Sequence, residues 1–490
     1  MRLDRLAERV AGARVRGRGA VGVAGIRHDS RQVRPGDLFV CLTGARHDGH
    51  AYAGDAMARG AAALCVDEDR ADLLPSAPAL LVEDTRRALP PLAAAFWGDP
   101  SLSLRLVGVT GTNGKTTTTL LAAAILKAAG QRAGTIGTLG AELMGEALPS
   151  ERTTPEADQF QELLAQMRHR GAEAVACEVS SHALAQHRTD ATAFDAGIFT
   201  NLTQDHLDYH ASMEEYYAAK RRLFVDYPGV GGKEFVAAVN ADDPWGRRLA
   251  SEARGRVITF AVEHAADVRA REVEVSASRV SFSADTPAGV LEVQLRIGGA
   301  FQVYNALAAA AAAIGMGVPV GAVAAGLESL QAVPGRFESV PTARGFHAIV
   351  DYAHTPDGLA NLISAARRLN PRRLILVFGC GGDRDRSKRP LMGRIAGSGA
   401  EVVVVTSDNP RTEDPAAIIR EILAGLEGAA ARVCAEPDRR AAIALALAEA
   451  REGDLVLVAG KGHEDCQEIQ GVKHPFDDRA VIRELLDAAK

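Results

Sequence analysis

Gly108-Val109-Thr110-Gly111-Thr112-Asn113-Gly114-Lys115-Thr116-Thr117 is the stretch whose reading decides the fold. Apolar Leu104, Leu106 and Val107 lead into it, and a helical pattern over 118–129 follows. A glycine-rich turn between strand and helix aims backbone N–H groups and the positive helix end at phosphate oxygens. Lys115 can then reach terminal phosphates, and the Thr116 hydroxyl can ligate Mg²⁺. The general phosphate-loop pattern puts glycine where Val109 stands, so this is a variant of that loop. The bland alternative is an ordinary strand–helix turn.

The 490 residues predict about three domains. Hydrophobic residues make up 47% and charged ones 24%, as in soluble globular proteins. A net charge of −6 argues against a nucleic-acid partner. Six cysteines without a Cys-x-x-Cys spacing read as reduced core thiols. No apolar stretch follows Met1, and the Ala-rich run 306–317 is far short of the ~20 residues of a membrane span. The expectation is a cytoplasmic protein without a membrane partner, leaning to a monomer.

Three blocks emerge, with boundaries expected at 1–100, 101–333 and 334–490. In the first, Asp37–Leu42 and Ala61–Val66 read as strands around a helical stretch over 51–59. Phe96-Trp97-Gly98-Asp99-Pro100-Ser101 reads as a linker. In the second, strands at 173–179, 196–200, 235–240 and 257–262 alternate with helices, which predicts a parallel α/β sheet around the phosphate loop. The apolar alternation over 267–297 predicts a small antiparallel patch. In the third, strands at 348–352, 374–378, 402–406 and 455–459 predict a Rossmann-like domain.

Three residues behind the loop invite chemistry. Glu178 ends an apolar strand, where a carboxylate beside a phosphate loop can hold Mg²⁺. His206, in Asn201-Leu202-Thr203-Gln204-Asp205-His206, offers a neutral imidazole to a metal. Lys220 lies on a helix predicted over 213–224; a free ammonium repels Mg²⁺, so on pattern alone it is a surface lysine.

In order, Gly-Thr-Asn-Gly-Lys-Thr-Thr, Glu-Val-Ser-Ser-His, Asn-Leu-Thr-Gln-Asp-His-Leu-Asp-Tyr-His and Ala218-Ala219-Lys220 resemble the motifs of Mur ligases. These are ATP-dependent amide-forming enzymes of peptidoglycan synthesis with a UDP-substrate domain, an ATPase domain and a Rossmann-like domain. The resemblance spans nearly the whole chain. It implies that Lys220 is carbamylated by CO₂ and, with Thr116, Glu178 and His206, holds Mg²⁺. It also implies ATP contacts from Gly111, Thr112, Asn113, Gly114, Lys115, Thr116 and Thr117. Asn305 would meet adenine, Arg336 the γ-phosphate and Asp351 the ribose. Gln302 stands where the family usually has a second asparagine. Lys115, His206, Lys220 and Arg336 are the expected catalytic set.

Gly381-Gly382-Asp383-Arg384, Ser407-Asp408-Asn409-Pro410-Arg411 and Gly460-Lys461-Gly462-His463-Glu464 each follow a predicted strand. Arg384 and Arg411 suit carboxylates, and Glu464 suits an ammonium. Asp-Asn-Pro-Arg resembles the signature of the family's diaminopimelate-adding members; lysine-adding relatives lack the arginine. An arginine left unpaired by lysine costs roughly 3–5 kcal/mol. The plainer role for Arg411 is to brace its turn.

At the other end, Ser30 with Ala45, Arg46 and His47 resembles the family's uridine-binding region. Arg152, Thr153, Thr154, Ser180, Gln186 and Arg188 match positions that hold the muramoyl peptide. The implied substrates are UDP-N-acetylmuramoyl-L-alanyl-D-glutamate, meso-diaminopimelate and ATP, joined through an acyl phosphate in a site closed against water. An L-lysine-adding member or a folylpolyglutamate-synthetase-like ligase is the alternative.

Overall fold

A computed structural model describes residues 1–44, 47–73, 77–150, 152–207 and 209–488. The chain has a three-domain α/β architecture. Its described residues fall into two compact units, 1–268 with 308–323, and 269–307 with 324–490.

The first unit opens with a five-stranded sheet in the order Arg14–Arg16, Ala79–Val82, Ala63–Asp67, Asp37–Val40, Gly25–Arg27. All neighbours are parallel except the first pair. The helix Thr85–Phe96 covers one face, capped by Asp84 and carrying Leu89 and Leu92 into the core. Its end, where the sequence suggests a linker, is a packed bend. Arg168 donates to the Gly98 and Trp97 carbonyls at 3.0 Å each, Arg9 pairs with Asp99 at 2.7 Å, and Pro100 and Ser101 are buried. Local composition could not show those distant partners.

The phosphate loop belongs to the next sheet. Arg105–Thr110 lies between Ala174–Glu178 and Ala196–Phe199; Val236–Asn240 and Arg256–Ala261 extend one side, and Ala133–Gly137 the other, all parallel. Such strands are buried on both faces, hence the near-continuous apolar runs. Gly140–Leu143 and Glu146–Leu148 add an antiparallel edge. The register sets Val109 opposite Glu178, so the strand-end carboxylate stands beside the start of the loop. Val109 itself is buried within its strand, which is why a side chain is at home there.

The second unit holds the antiparallel strands Val268–Val275, Val280–Thr286 and Gly289–Leu295, where alternation of apolar residues foretold them. Its six-stranded sheet runs Glu338–Val340, His347–Asp351, Leu455–Ala459, Leu374–Phe378, Val402–Val405, Arg432–Ala435, parallel except for the first strand. Buried Phe378, Met392, Val405 and Ile422 pack on one side; Val377, Val404, Ile443 and Ile482 pack on the other.

Among the described residues no helix is long and apolar enough to cross a membrane. The six cysteines are free thiols; burial pushes Cys41 and Cys380 up to about 12, so neither is a ready nucleophile.

Candidate functional site

The path of the phosphate loop is fixed by its glycines and by the next strand end. Helix Lys115–Ala128 begins after Gly114, whose φ is +86° and which contributes no side-chain cap. Gly111 has φ +152°, and a Cβ there would lie 1.9 Å from Thr200 Oγ1. The following strand end clamps the loop. Thr112 N donates to the Asn201 carbonyl at 2.9 Å, Asn113 N to Asn201 Oδ1 at 3.0 Å, and Thr200 Oγ1 to the Asn113 carbonyl at 2.6 Å.

Lys115 Nζ reaches back to the carbonyls of Gly111 at 3.0 Å and Thr112 at 2.8 Å. Lys220, on helix Met213–Val225, is buried and donates to the same Gly111 carbonyl at 2.8 Å. Its Nζ lies 4.4 Å from the centroid of the Tyr216 ring. Burial, then the Lys115 charge, holds the Lys220 amine well below the usual lysine range, against the pull of Asp205. The surface-lysine reading therefore fails: this amine is desolvated, a state that costs free energy and calls for a use.

Glu178 is 1% exposed and fixed by Thr138, whose N and Oγ1 donate to its two oxygens at 2.8 and 3.1 Å. His206 sits at φ +54° with its ring 4.8 Å from His182 and 6.0 Å from Tyr216. Among the described residues no three His, Cys, Asp or Glu side chains form a metal-binding group. Thr116, Glu178 and His206 supply three suitable donors, but Lys220 as an ammonium does not. A carbamate on that amine would make the donor set anionic, the kind of set that Mg²⁺ takes.

Next to Glu178 stands an arginine cluster. Glu156, almost fully buried, meets Arg152 at 2.8 Å, Arg188 at 3.1 Å and Arg86 at 3.3 Å. One carboxylate facing three guanidiniums leaves positive charge for a further anion. Thr154 Oγ1 donates to the Glu178 carbonyl at 2.8 Å and accepts from Ser180 N at 3.1 Å; Arg188 donates to the Thr154 carbonyl at 3.0 Å and to Gln186 Oε1 at 2.6 Å. Thr153 Oγ1 touches Thr138 Oγ1 at 3.2 Å. Arg152, Thr153, Thr154, Ser180, Gln186 and Arg188 are thus one connected group. Ser30 opens a short 3-10 turn capped by Asp29, and His47 is exposed on its own loop. Ala45 and Arg46 lie outside the described residues.

In the second unit, Arg411, Asp408, Asn409, Lys461 and Glu464 converge. Lys461 is fully buried, and its Nζ donates to Asn409 Oδ1 at 3.1 Å and Glu464 Oε2 at 3.0 Å. Asn409 Nδ2 donates to the same Glu464 oxygen at 2.7 Å. Gly460 must be glycine: its φ is +116°, and a Cβ would meet Asp408 Oδ2 at 2.4 Å. Arg411 NH1 donates to the Gly382 carbonyl at 2.7 Å, and the Arg411 backbone is left-handed at φ +52°. A non-glycine residue held there stores strain, which clusters at binding sites. Pro410 is buried beneath it, and Gly381 separates Arg411 from exposed Arg384. Asn305 and Gln302 are both buried and joined at 2.7 Å inside the helix Phe301–Gly315, so Asn305 is not a cap. The Arg336 guanidinium lies 4.8 Å from the Tyr352 ring centroid. Asp351 accepts from Phe337 N at 2.7 Å and Ala353 N at 2.8 Å; burial raises its pKa, against Arg336. Sequence reasoning overlooked Arg86, Thr138, Glu156 and Lys461 as site residues. For Lys461 the signal was present, a lysine between two glycines after an apolar strand.

These features define a multidomain α/β protein with a glycine-rich strand–turn–helix loop in one unit and a cluster of buried charged side chains in the other. Residues 22–97 match the Mur ligase family catalytic domain, 109–313 the Mur ligase middle domain, and 335–462 the Mur ligase glutamate ligase domain. The UDP-N-acetylmuramoyl-L-alanyl-D-glutamate--2,6-diaminopimelate ligase of Syntrophomonas wolfei is 45% identical over 465 residues, 95% of this chain and 94% of the relative. That of Geobacter metallireducens is 44% identical, covering 99% of both chains. A solved structure of a ligase of the same name is 33% identical with a TM-score of 0.71, covering 100% of this chain and 99% of the other. The chain belongs to the Mur ligase family.

Proposed function

We propose that this chain is an ATP-dependent ligase that joins meso-diaminopimelate to the D-glutamate of UDP-N-acetylmuramoyl-L-alanyl-D-glutamate. The observation that carries the reading is the run Asp408-Asn409-Pro410-Arg411 locked against Lys461 and Glu464. It occurs in a chain 45% identical over 465 residues to a ligase of that name.

The γ-phosphoryl group of ATP passes to the D-glutamate carboxylate oxygen, giving an acyl phosphate and ADP. The diaminopimelate nitrogen then bonds to the acyl carbon, the carbon–oxygen bond to phosphate breaks, and phosphate leaves. Positioning and charge stabilisation carry such a reaction. Lys115 offers its ammonium to the β- and γ-phosphates from within the ATP-binding loop 111–117, where Gly114 opens the N-terminus of the helix. Arg336 spreads phosphoryl charge, Asp351 takes the ribose, and Asn305 with Gln302 takes the adenine. Thr116, Glu178, His206 and carbamylated Lys220 would hold Mg²⁺, which when bound neutralises phosphate charge.

Arg152, Thr153, Thr154, Ser180, Gln186 and Arg188 hold the muramoyl peptide, assisted by the surplus positive charge around Glu156. Ser30, with Ala45, Arg46 and His47, takes the uridine end. Arg384 and Arg411 take the diaminopimelate carboxylates, while Asp408 and Glu464 face its amino groups. Functional boundaries at 1–100, 101–333 and 334–490 fit this division of labour. The enzyme would act as a cytoplasmic monomer supplying cell-wall precursor for growth and division.

The test is ligation by the purified chain. With ATP, Mg²⁺ and the UDP-muramoyl dipeptide, diaminopimelate should yield one amide and one phosphate per ATP, and L-lysine should react at least about 100-fold more slowly. Equal rates would remove the role given to Arg411; no amide with either would remove the reading.

A further inference from the structure

A buried guanidinium in the second unit ties together the two loops that carry Asp408–Arg411 and Gly460–Glu464. Arg439 opens the helix Arg439–Glu449 and is 1% exposed. Its Nε and Nη2 donate to the two oxygens of Asp478, at 2.8 and 2.7 Å. Asp478 is itself fully buried, at the start of the helix Asp478–Ala488. The rest of the fork reaches backbone: Nη1 donates to the Ser407 carbonyl at 3.3 Å, and Nη2 to the Ala459 carbonyl at 3.0 Å. Ser407 immediately precedes Asp408, and Ala459 immediately precedes Gly460. The strands that deliver them, Val402–Val405 and Leu455–Ala459, do not pair with each other; Leu374–Phe378 lies between them. Arg439 therefore joins two strand ends that the sheet ladder does not join.

Such a pair needs a reason beyond stability. Two charges taken out of water gain little over a well-packed apolar pair of similar size. What the pair adds is geometry, since a planar guanidinium offers several donors in fixed directions. Burial alone would lower the Arg439 pKa; the charge and hydrogen bonds of Asp478 outweigh it, with further pulls from Asp408 and Glu464, and the net shift is upward. The guanidinium thus stays charged, and its tie to the two carbonyls does not titrate.

We propose that Arg439 is a positioning residue for the amino-acid site, setting the distance between the loop of Arg411 and the loop of Glu464. The inference rests on the ligase reading above. On that reading one loop takes a carboxylate of diaminopimelate and the other an ammonium of the same molecule, so their separation must match its length. Arg439 acts through the backbone it holds and is too deeply buried to meet the substrate.

Steady-state kinetics of the full chain separate positioning from general support. R439M alone would strand the Asp478 carboxylate in the core, so two other variants serve. R439K keeps a cation against Asp478, but a single Nζ cannot reproduce the fork that also holds both carbonyls. R439M/D478L replaces the pair with apolar side chains. Each should raise KM for diaminopimelate about 10–100-fold. KM for the UDP-muramoyl dipeptide, whose expected site lies in the other unit, should stay within a few-fold of wild type. A purely structural role lowers the folded fraction, and so the apparent kcat, without moving either KM. R439K decides by itself where the double variant does not fold. A diaminopimelate KM within a few-fold of wild type in R439K would overturn the proposal, as would equal rises in both KM values. Wild-type enzyme that forms no amide would overturn the ligase reading first, and this role with it.

Discussion

Lys115 and Lys220 share one acceptor. Both Nζ atoms donate to the carbonyl of Gly111, at 3.0 and 2.8 Å. Like charges at one oxygen in a buried place are mutually unfavourable. Lys115 is tied to the loop that names it, so Lys220, the more deeply buried, is the one driven towards neutrality.

A neutral amine can add CO₂, forming an N–C bond and releasing one proton, whereas an ammonium cannot. Because the folded pKa is depressed, the reactive form persists to lower pH than in free lysine. On the reading proposed here, wild-type ligation should fall in CO₂-depleted buffer and recover on adding bicarbonate. K220A should lose at least about 100-fold in kcat and respond to neither. A K220A enzyme with wild-type turnover would exclude the carbamate.

Gly111→Ala tests the loop itself. The new Cβ would lie 1.9 Å from Thr200 Oγ1 and 3.2 Å from Asn201 N, at a backbone φ that side chains avoid. The clamp from 200–201 must open or the loop must move. Calorimetric affinity for ADP should weaken at least about tenfold, with a stability loss of about 1–3 kcal/mol. Removing the hydroxyl in G111A/T200A should restore part of both. Unchanged ADP affinity in G111A would show that the loop path does not govern binding.

His28 and Asp158 give a pH dependence within the first unit. The His28 ring meets both Asp158 oxygens, at 2.8 and 2.9 Å. Burial lowers the His28 pKa, but the hydrogen bond and charge of Asp158 outweigh it, and the net shift is upward from 6.5. A raised folded pKa adds stability that is fully present below the unfolded value and lost as pH rises through the folded one. The urea-derived stability gap between wild type and H28N should therefore be about 1–2 kcal/mol larger at pH 5.5 than at pH 8.5. A gap independent of pH would place His28 as neutral in the folded chain.

The parallel strands and the phosphate loop were readable because their signals are local. A run such as Leu374–Phe378 is apolar throughout, and Gly-x-x-Gly-Lys-Thr follows one of them. Edge elements were not. Arg432–Ala435 is a short, largely exposed strand, and Cys466–Ile469 pairs with Val472–Pro475 in a hairpin without an apolar face. The site residues divide in the same way. Asp408 to Arg411 announces itself as a motif, whereas Glu156 draws Arg86 from 70 residues away, a relation only the fold creates. Lys220 was misjudged by residue type alone, since burial in the fold, not its own sequence neighbourhood, lowers its pKa.

Arg411 has two jobs available, and kinetics can tell them apart. Its backbone N donates to the Glu468 carbonyl at 3.0 Å, its NH1 to the Gly382 carbonyl at 2.7 Å, and Nε lies 3.5 Å from Glu468 Oε2. These contacts alone could brace the turn. If bracing were the whole role, R411A would slow diaminopimelate and L-lysine alike. If the guanidinium also takes the carboxylate that lysine lacks, R411A should cost about 10²–10³-fold in kcat/KM for diaminopimelate and leave L-lysine nearly unchanged or slightly better. R411K should recover little, because an ammonium cannot offer the paired N–H geometry that a carboxylate accepts. The ratio of the two kcat/KM values, measured for wild type, R411A and R411K, therefore reads recognition directly, and a constant ratio across the three would assign Arg411 to the turn alone.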